Sequence, residues 1–527
     1  MKIKFLGAAR TVTGSMHVIE CGGLCFAMDC GLFQGSKEIK ERNYQDFKVN
    51  PQTLDFVILS HSHIDHIGLV PKLCKLGFKG NIYCSFATAE LAKVMLPDSA
   101  HIQETEVERK NRKLLRAGKI PLEPIYTVED AMKCLSQFRP VNYDELFTPA
   151  EGVEVRLRDA GHILGSSIVE LWLEEAGKRS KIVFTGDLGQ TNQPFIKDPT
   201  FIESADYVVM ESTYGDRFHK DVLNRVEKLK QVIDETMKKG GNLIIPAFAV
   251  ERTQDLLYDL NELYVKGDLD ESIDVYIDSP LAIAATEIFK KYTQLFDNET
   301  KNFVNNGFHP LELPHMKYSH SQEESMELNN INRSIIISAS GMCEAGRIKH
   351  HLKYNLWRPE STILFVGYQA EGTLGRKILD GEKIVTIFGE QVTVKADIRQ
   401  IEAYSSHADQ SGLLSWLKRY DGTPKTVFLV HGEEKAQQTL AELIRRDIHL
   451  QVVIPQWLDE YPLDESMHIE PKAVPMQTET RITNRSLEAE ELYLQLRMKL
   501  NRFYQDSITG QKYEELIDKM EKITSQL

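Results

Sequence analysis

Four potential metal ligands, His61, His63, Asp65 and His66, fall within six positions. They follow directly on the apolar run LDFVILS, Leu54 to Ser60. A continuous apolar run of that length reads as a strand buried on both faces. Ligand-type residues at its C-terminal end open a loop, which is where layered α/β proteins repeatedly place their sites. Imidazoles and carboxylates suit a borderline cation such as zinc. A lone histidine pair would be an ordinary polar turn. HxHxDH closing a buried strand is half of a metal site, and the rest of the chain must supply the other half.

Three distant segments can supply it. DAGHILGSS sets His162 between two strand-like runs, flanked by glycines that allow close backbone approach. VFTGDLGQ ends a strand on Asp187, and VFLVHGEE ends another on His431. With seven ligands the simplest allocation uses two ions. His61, His63 and His162 would hold one, Asp65, His66 and His431 the other, and Asp187 would bridge them.

At 527 residues the chain exceeds one ordinary core, so more than one domain is expected. Its first part is strand-rich, with IKFLG, SMHVIE and LCFAMD separated by glycines and Asp29 ending the third. Residues 86 to 118 read as a helix. After DYVVMESTYGD, helical segments alternate with apolar strands (NLIIPAF, DVYIDS, SIIISASG, STILFVGY), the rhythm of a parallel sheet with crossover helices. Strand-rich character returns at KIVTIFG, VTVKADIRQ and TVFLVHGEE. An architecture that resumes after a second one marks an insertion. The expected division is therefore 1–208 plus 383–465 for the outer domain and 209–382 for the insert. A linker and helical C-terminal extension follow over 466–527, with packing or self-association into a homodimer as its expected role.

No run of about eighteen apolar residues occurs, so no membrane partner is expected. The N-terminal MKIKFLGAARTV alternates like a strand and lacks a signal-peptide core. Seven cysteines are scattered without a CxxC pair, which argues against a disulfide framework and a thiolate zinc site. A reducing cytoplasm is the expected setting. A net charge of −14 counts against a protein that coats nucleic acid, although a local basic groove would suffice for an enzyme. Two readings stay open for Arg109, Lys110, Arg112, Lys113, Arg116 and Lys119: a solvated helix face, or a patch facing phosphates.

Asp29, HSHIDH, His162, Asp187 and His431 together resemble the motif series of the metallo-β-lactamase fold. ESTYG, SASGMCEAGR, YSSHAD and VHGE resemble its β-CASP branch, which includes RNA-processing nucleases of bacteria and archaea and the 73-kDa cleavage subunit of eukaryotic pre-mRNA 3′-end processing. The resemblance spans about residues 1 to 460. It implies an αββα sandwich carrying an inserted α/β domain, with Asp29 supporting the ligands. It also implies a zinc-dependent ribonuclease that acts on single-stranded RNA and leaves a 5′-phosphate and a 3′-hydroxyl. Two zinc ions, with manganese as the alternative, would activate a water as hydroxide. His407 in EAYSSHAD would be the general acid, paired with Glu211 of the EST motif.

SIIISASGMCEAGRIKHHLK runs from a strand through a Ser/Gly turn into a helix, a geometry that presents backbone N–H groups to an anion. Ser338, Ser340, Arg347 and His351 are therefore candidates for holding substrate phosphates, which the resemblance supports. Three other readings are weighed: a DNA nuclease of the same branch, a hydrolase of a small ester or thioester, and an inactive RNA-binding scaffold. The large insert speaks against a small substrate. Retention of all seven ligands speaks against a scaffold. Relatives that cut DNA usually carry an apolar residue at the last ligand motif, so His431 favours RNA.

Overall fold

The computed structural model describes residues 1–219, 224–370, 372–420 and 424–463, together with Glu514, Ile517, Asp518, Lys519 and Lys522. The expected linker and helical extension at 466–527 thus fall almost wholly outside the described residues. The chain divides into two compact units, 1–467 and 468–527, and the sheets and the candidate site all belong to the first.

Two seven-stranded sheets form its larger part. In the first, Lys2–Phe5, His17–Cys21 and Leu24–Met28 make an antiparallel meander. Phe56–Ile58, Asn81–Ser85 and Phe138–Val141 continue it in parallel. Phe56–Ile58 is the apolar run that precedes the histidine cluster, and all three of its residues are buried. The second sheet contains the antiparallel strands Val153–Asp159, Ser167–Glu175 and Lys178–Phe184. Tyr207–Glu211 and Thr426–Val430 then join them in parallel.

Strand alternation sends one set of side chains to each face, and both faces of each sheet are covered. Phe5 meets Phe428 of the other sheet at 5.2 Å, and His17 stacks on Phe184. On the outer face of the first sheet, Val57, Leu59 and Ile82 pack with Leu73, Leu96 and Ala131 of helices Val70–Lys75, Phe86–Arg116 and Val128–Cys134. On the outer face of the second, Val208 and Leu429 pack with Trp416, Leu440 and Ile444. The layers run helix, sheet, sheet, helix, as expected for this fold class.

A third, all-parallel sheet of six strands is built from Leu243–Pro246, Val275–Ile277, Met316–Tyr318, Ile335–Ser338, Thr362–Phe365 and Asp397–Gln400. Arg225–Lys239 leads into its first strand, and helices such as Arg252–Val265 and Pro280–Lys291 cross between its strands. Five strands lie within 209–382, and the sixth, Asp397–Gln400, comes from beyond it. Ile384–Ile387 and Glu390–Thr393 form a separate hairpin. The chain rejoins the second sheet at Thr426–Val430. Ile163, Leu164 and Phe195 of the sandwich share one apolar core with Val250, Leu256 and Phe289 of the third sheet's layer. The insert is thereby packed against the loop that carries His162.

All seven cysteines are free thiols. Among the described residues, no helix is long and apolar enough to cross a membrane.

Candidate metal centre

The histidine cluster leaves the first sheet just after Phe56–Ile58, and the turn Ile64–Ile67 bends Asp65 and His66 back over the strand ends. That bend needs close backbone contact. A Cβ on Gly31 would lie 1.6 Å from the Asp65 carbonyl, and one on Gly189 would lie 1.6 Å from that of Gly161. Glycine at both positions lets the loops bearing Asp65, His162 and Asp187 close on one another. His431 and Asp29 hold positive φ, at 48° and 59°, a conformation uncommon outside glycine in which Asn, Asp and His are enriched.

The seven expected ligands gather in two sets, and Asp187 and His431 form a third with His407. His61, His63, His162 and Asp187 converge in one, and Asp65, His66 and His431 in the other, with all ligand atoms of a set within 4.8 Å of each other. His63 Nδ1 lies 3.1 Å from His61 Nε2 and 3.2 Å from His162 Nε2. A single oxygen, Asp187 Oδ2, stands 3.4 Å from His61 Nε2, 3.5 Å from His162 Nε2 and 3.4 Å from His66 Nε2. His431 Nε2 is 3.4 Å from Asp65 Oδ2. Tetrahedral ligands about 2.0–2.1 Å from one ion sit roughly 3.3 Å apart, so these spacings suit a cation at the centre of each set.

Buried atoms without partners point the same way. His66 Nε2 and Asp187 Oδ1 are enclosed and make no hydrogen bond. Burial holds the His63 ring down at about 3 and pushes His61 and His162 below the usual histidine range, which keeps all three neutral as ligands must be. Asp187 behaves oppositely. Burial raises it, but His431, His66, His61 and His407 more than offset that, and it stays ionised. Burial would also lower His66, yet the carboxylates of Asp187 and Asp29 hold it well above the usual range. The residues present fit a bound metal.

Neighbouring side chains fix which nitrogen faces inward. Asp29 Oδ2 lies 2.7 Å from His66 Nδ1, which leaves Nε2 for the centre. The same carboxylate accepts from the Ser60 backbone N–H at 2.7 Å and from the Ser60 hydroxyl at 2.9 Å. Ser60 Oγ can then accept from His61 Nδ1, 3.0 Å away. Thr213 stands by His431 in the same way, with Oγ1 3.1 Å from Nδ1. Sequence reasoning misses Ser60 and Thr213, although each adjoins a motif residue.

Beside the cluster, His407 Nδ1 lies 3.0 and 3.2 Å from the two oxygens of Glu211, which is wholly buried. Burial depresses the His407 ring, but Glu211 and then Asp187 outweigh it and lift the value to about 9. Its ring centroid is 4.5 Å from that of His162. His219 Nε2 donates to the His407 carbonyl at 2.9 Å, a contact that nothing in the motifs suggests. Two adjacent residues brace this region from the insert. Glu251 accepts from the Leu164 backbone N–H at 3.2 Å, and Arg252 Nη2 donates to Ser406 Oγ at 3.0 Å.

Three of the four expected phosphate-binding residues meet at Asp278. Arg347 Nη1 donates to Asp278 Oδ1 at 2.8 Å, and His351 Nε2 lies 2.6 Å from Asp278 Oδ2. Ser338 Oγ donates to the Asp278 carbonyl, and Ser340 Oγ bonds across its own turn to Ala345. The turn itself does approach the cluster. A Cβ on Gly341 would touch the Phe248 ring, whose centroid lies 6.4 Å from that of His63.

A two-sheet sandwich with a buried imidazole–carboxylate centre at its rim, packed against a parallel α/β insert, is the architecture of a metallo-hydrolase. Three family models match along the chain. They are the metallo-beta-lactamase superfamily over 12–237, the Beta-Casp domain over 253–378, and the Zn-dependent metallo-hydrolase RNA specificity domain over 391–455. Over 445 residues the chain is 34% identical to ribonuclease TTHA0252 of Thermus thermophilus, covering 84% of this chain and 96% of that protein. It is 29% identical to an RNase J-like protein of Methanocaldococcus jannaschii, covering 86% and 97%. It is also 29% identical to the transcription termination factor FttA of the same organism, covering 87% and 71%. The chain belongs to the β-CASP branch of the metallo-β-lactamase family, and it is a metal-dependent hydrolase by that membership.

Proposed function

We propose that the chain is a ribonuclease that hydrolyses single-stranded RNA and leaves a 5′-phosphate and a 3′-hydroxyl. The observation that carries this reading is a buried seven-ligand cluster with a histidine–glutamate pair at its edge. The names of the relatives support it. His61, His63 and His162 would hold one zinc and Asp65, His66 and His431 a second, with Asp187 available to both and manganese as the alternative ion. Bound there, the metal supplies a water of lowered pKa and neutralises charge on the phosphodiester.

The chain's own residues do the rest. Glu211 accepts from His407 Nδ1–H, which fixes the ring and favours its protonated form. Nε2 then carries the proton to the 3′ oxygen as the P–O3′ bond breaks. Asp29 and Ser60 keep the ligand rings turned inward. Ser338, Arg347 and His351 serve the substrate indirectly, by bracing the turn 339–346 that lies against Phe248. This reading keeps 1–208 and 383–465 as the metal-bearing domain and 209–382 as the insert, with a last strand drawn from 397–400. A cytoplasmic setting belongs to it as well.

The test uses one RNA labelled at either its 5′ or its 3′ end and the same sequence as DNA. Each is incubated with wild type and with Asp187→Ala. The expected result is cleavage of RNA by wild type alone, giving fragments that a ligase rejoins across a 5′-phosphate and a 3′-hydroxyl without prior end repair. Equal cutting by both proteins, or preference for DNA, would overturn it.

A further inference from the structure

Most cations resting on aromatic rings here are also neutralised by a carboxylate. Arg156 and Lys181 sit over Trp172, yet both pair with Glu170, at 2.7 and 2.6 Å. Lys317 over Tyr276 pairs with Asp274, and Arg225 over Tyr404 pairs with Asp259. Phe388 differs. It stands at the exposed tip of the hairpin Ile384–Ile387/Glu390–Thr393. The Arg109 guanidinium lies 5.6 Å from its ring centroid and the Lys349 ammonium 5.1 Å, while the His350 ring packs against it at 4.5 Å.

Neither cation has a carboxylate partner among the described residues. Lys349 Nζ donates to the backbone carbonyl of Glu344, whose carboxylate pairs with Lys40 instead. On Arg109's helix, Glu106 and Glu108 are engaged by Lys110 and Arg112, which leaves Lys113, Arg116 and Lys119 uncompensated as well. A ring attracts a cation without taking its charge or its hydrogen-bond donors. The side chain is held in place and its field is kept. Trp457 holds Arg42 and Lys48, Phe47 holds Lys72 and Phe201 holds Arg419 in a similar way, but each of these rings takes its cations from the sandwich alone. Phe388 joins Arg109 of the sandwich helix Phe86–Arg116 to Lys349 of the insert helix Ile348–Asn355. That second helix follows directly on the turn whose Gly341 lies against Phe248, a ring neighbour of His63.

We infer that Arg109, Lys349 and His350, arrayed around Phe388, form a binding site for the phosphate backbone of a nucleic-acid strand outside the cleavage centre. The inference rests on the proposed ribonuclease function. The continuation through Lys113, Arg116 and Lys119 gives the strand a path along the long helix. A chain of net charge −14 repels polyanions in general, so a local, preorganised positive strip decides where a strand can lie. Contacts of this kind are blind to sequence and sensitive to salt. They favour long strands over short ones, because a strand that occupies the strip as well as the metal centre gains the added phosphate contacts.

The test compares wild type with R109Q/K349Q and with Phe388→Leu, as full-length, metal-loaded protein, on a 6-nucleotide and a 30-nucleotide RNA. KM for the long RNA is expected to rise about tenfold in the double variant, with kcat unchanged and the short RNA unaffected. The slope of log affinity for the long RNA against log salt, read by fluorescence anisotropy, should flatten by about 1.4, from two contacts at roughly 0.7 each. Phe388→Leu removes the ring but no charge, so it should raise KM by a smaller factor. Unchanged KM and salt slope in both variants would overturn the inference. So would an equal loss on both RNA lengths. If wild type binds the long RNA without cutting it, the ribonuclease reading fails by itself, and the strip stands or falls on the anisotropy slopes. If wild type binds neither RNA, both fail.

Discussion

Two buried histidine–carboxylate clusters occupy this chain, and they solve the same electrostatic problem in opposite ways. In the insert, Asp278 receives Arg347, His351 and Ser325, at 2.8, 2.6 and 2.6 Å. At the rim of the sandwich, Asp187 faces imidazoles, and the groups that act on it most strongly are His431, His66, His61 and His407. A buried carboxylate costs several kcal/mol unless a cation and hydrogen bonds answer it. The insert supplies its own cation in Arg347. The rim answers with imidazoles alone, and its carboxylates hold His66 well above the usual histidine range at a position a metal would take instead. The difference separates a cluster built to stabilise a turn from one built to take a cation from solution.

The comparison breaks most directly at Asp187. Asp187→Ala removes the oxygen shared by His61, His66 and His162, so hydrolysis should fall to the uncatalysed background. Bound metal per chain, read by atomic absorption after desalting, should fall with it. A variant that kept the wild-type metal content would show that the carboxylate is not what the cluster uses to hold a cation.

His407 sharpens the boundary of the rim cluster, because its ring also lies within ligand distance of Asp187 and His431. As a proton donor it should be separable from metal retention. His407→Ala should lower kcat by about 10²–10⁴-fold while metal content stays at the wild-type level. Joint loss of metal and activity would reassign His407 as a ligand. Glu211→Gln should act in the same direction with a smaller loss.

The contrast between the clusters also explains what is legible in the sequence. Metal ligands are drawn from few residue types and stand at strand ends, so His61, His63, Asp65, His66, His162, Asp187 and His431 are all visible as candidates. The parallel insert is visible too, because strand and helix periods alternate through Leu243 to Phe365. Asp278 is not. One aspartate closing DVYIDS looks like any strand end, and only the fold brings Arg347 and His351 to it from about seventy residues away. The Ser/Gly turn therefore reads as a set of phosphate donors, and the bonds its side chains make within the insert are not visible in the sequence. Asp397–Gln400 reads as part of the outer domain because DIRQ, a half-exposed edge strand, carries no apolar run to show which sheet it joins. Ser60 and Thr213 act through hydrogen bonds to their neighbours, and nothing in residue type alone distinguishes them from capping residues.

Arg347 tests the insert side. Its side chain is about four-fifths shielded, and Asp278 is wholly buried. Arg347→Met leaves that carboxylate short of its cation and should cost about 3 kcal/mol, at the lower end for a broken buried pair. Urea unfolding would show the loss, with any rise in KM for RNA accompanying it, while metal content stays unchanged. A raised KM with unchanged stability would instead mean that Arg347 meets the substrate directly.

The smallest expected effect lies at Thr213, and it probes how finely the rim cluster is set. Its hydroxyl hydrogen goes to the His431 carbonyl, with Oγ1 3.0 Å from that oxygen. Oγ1 is then free only to accept, and the His431 Nδ1–H at 3.1 Å is the donor in reach. A proton held on Nδ1 leaves the Nε2 lone pair toward Asp65, the tautomer that a metal requires. Thr213→Val keeps the shape and removes both bonds. Affinity on the Asp65, His66 and His431 side should drop about tenfold, the low end for losing such an orienting partner, while the set built on His61, His63 and His162 is unaffected. Competition with a chromophoric chelator would resolve one weakened and one unchanged binding step, and Thr213→Ser should restore the first. If valine binds both ions as tightly as threonine, His431 is oriented by its strained backbone alone. The rim cluster would then owe its geometry to the strand ends and not to the side chains behind them.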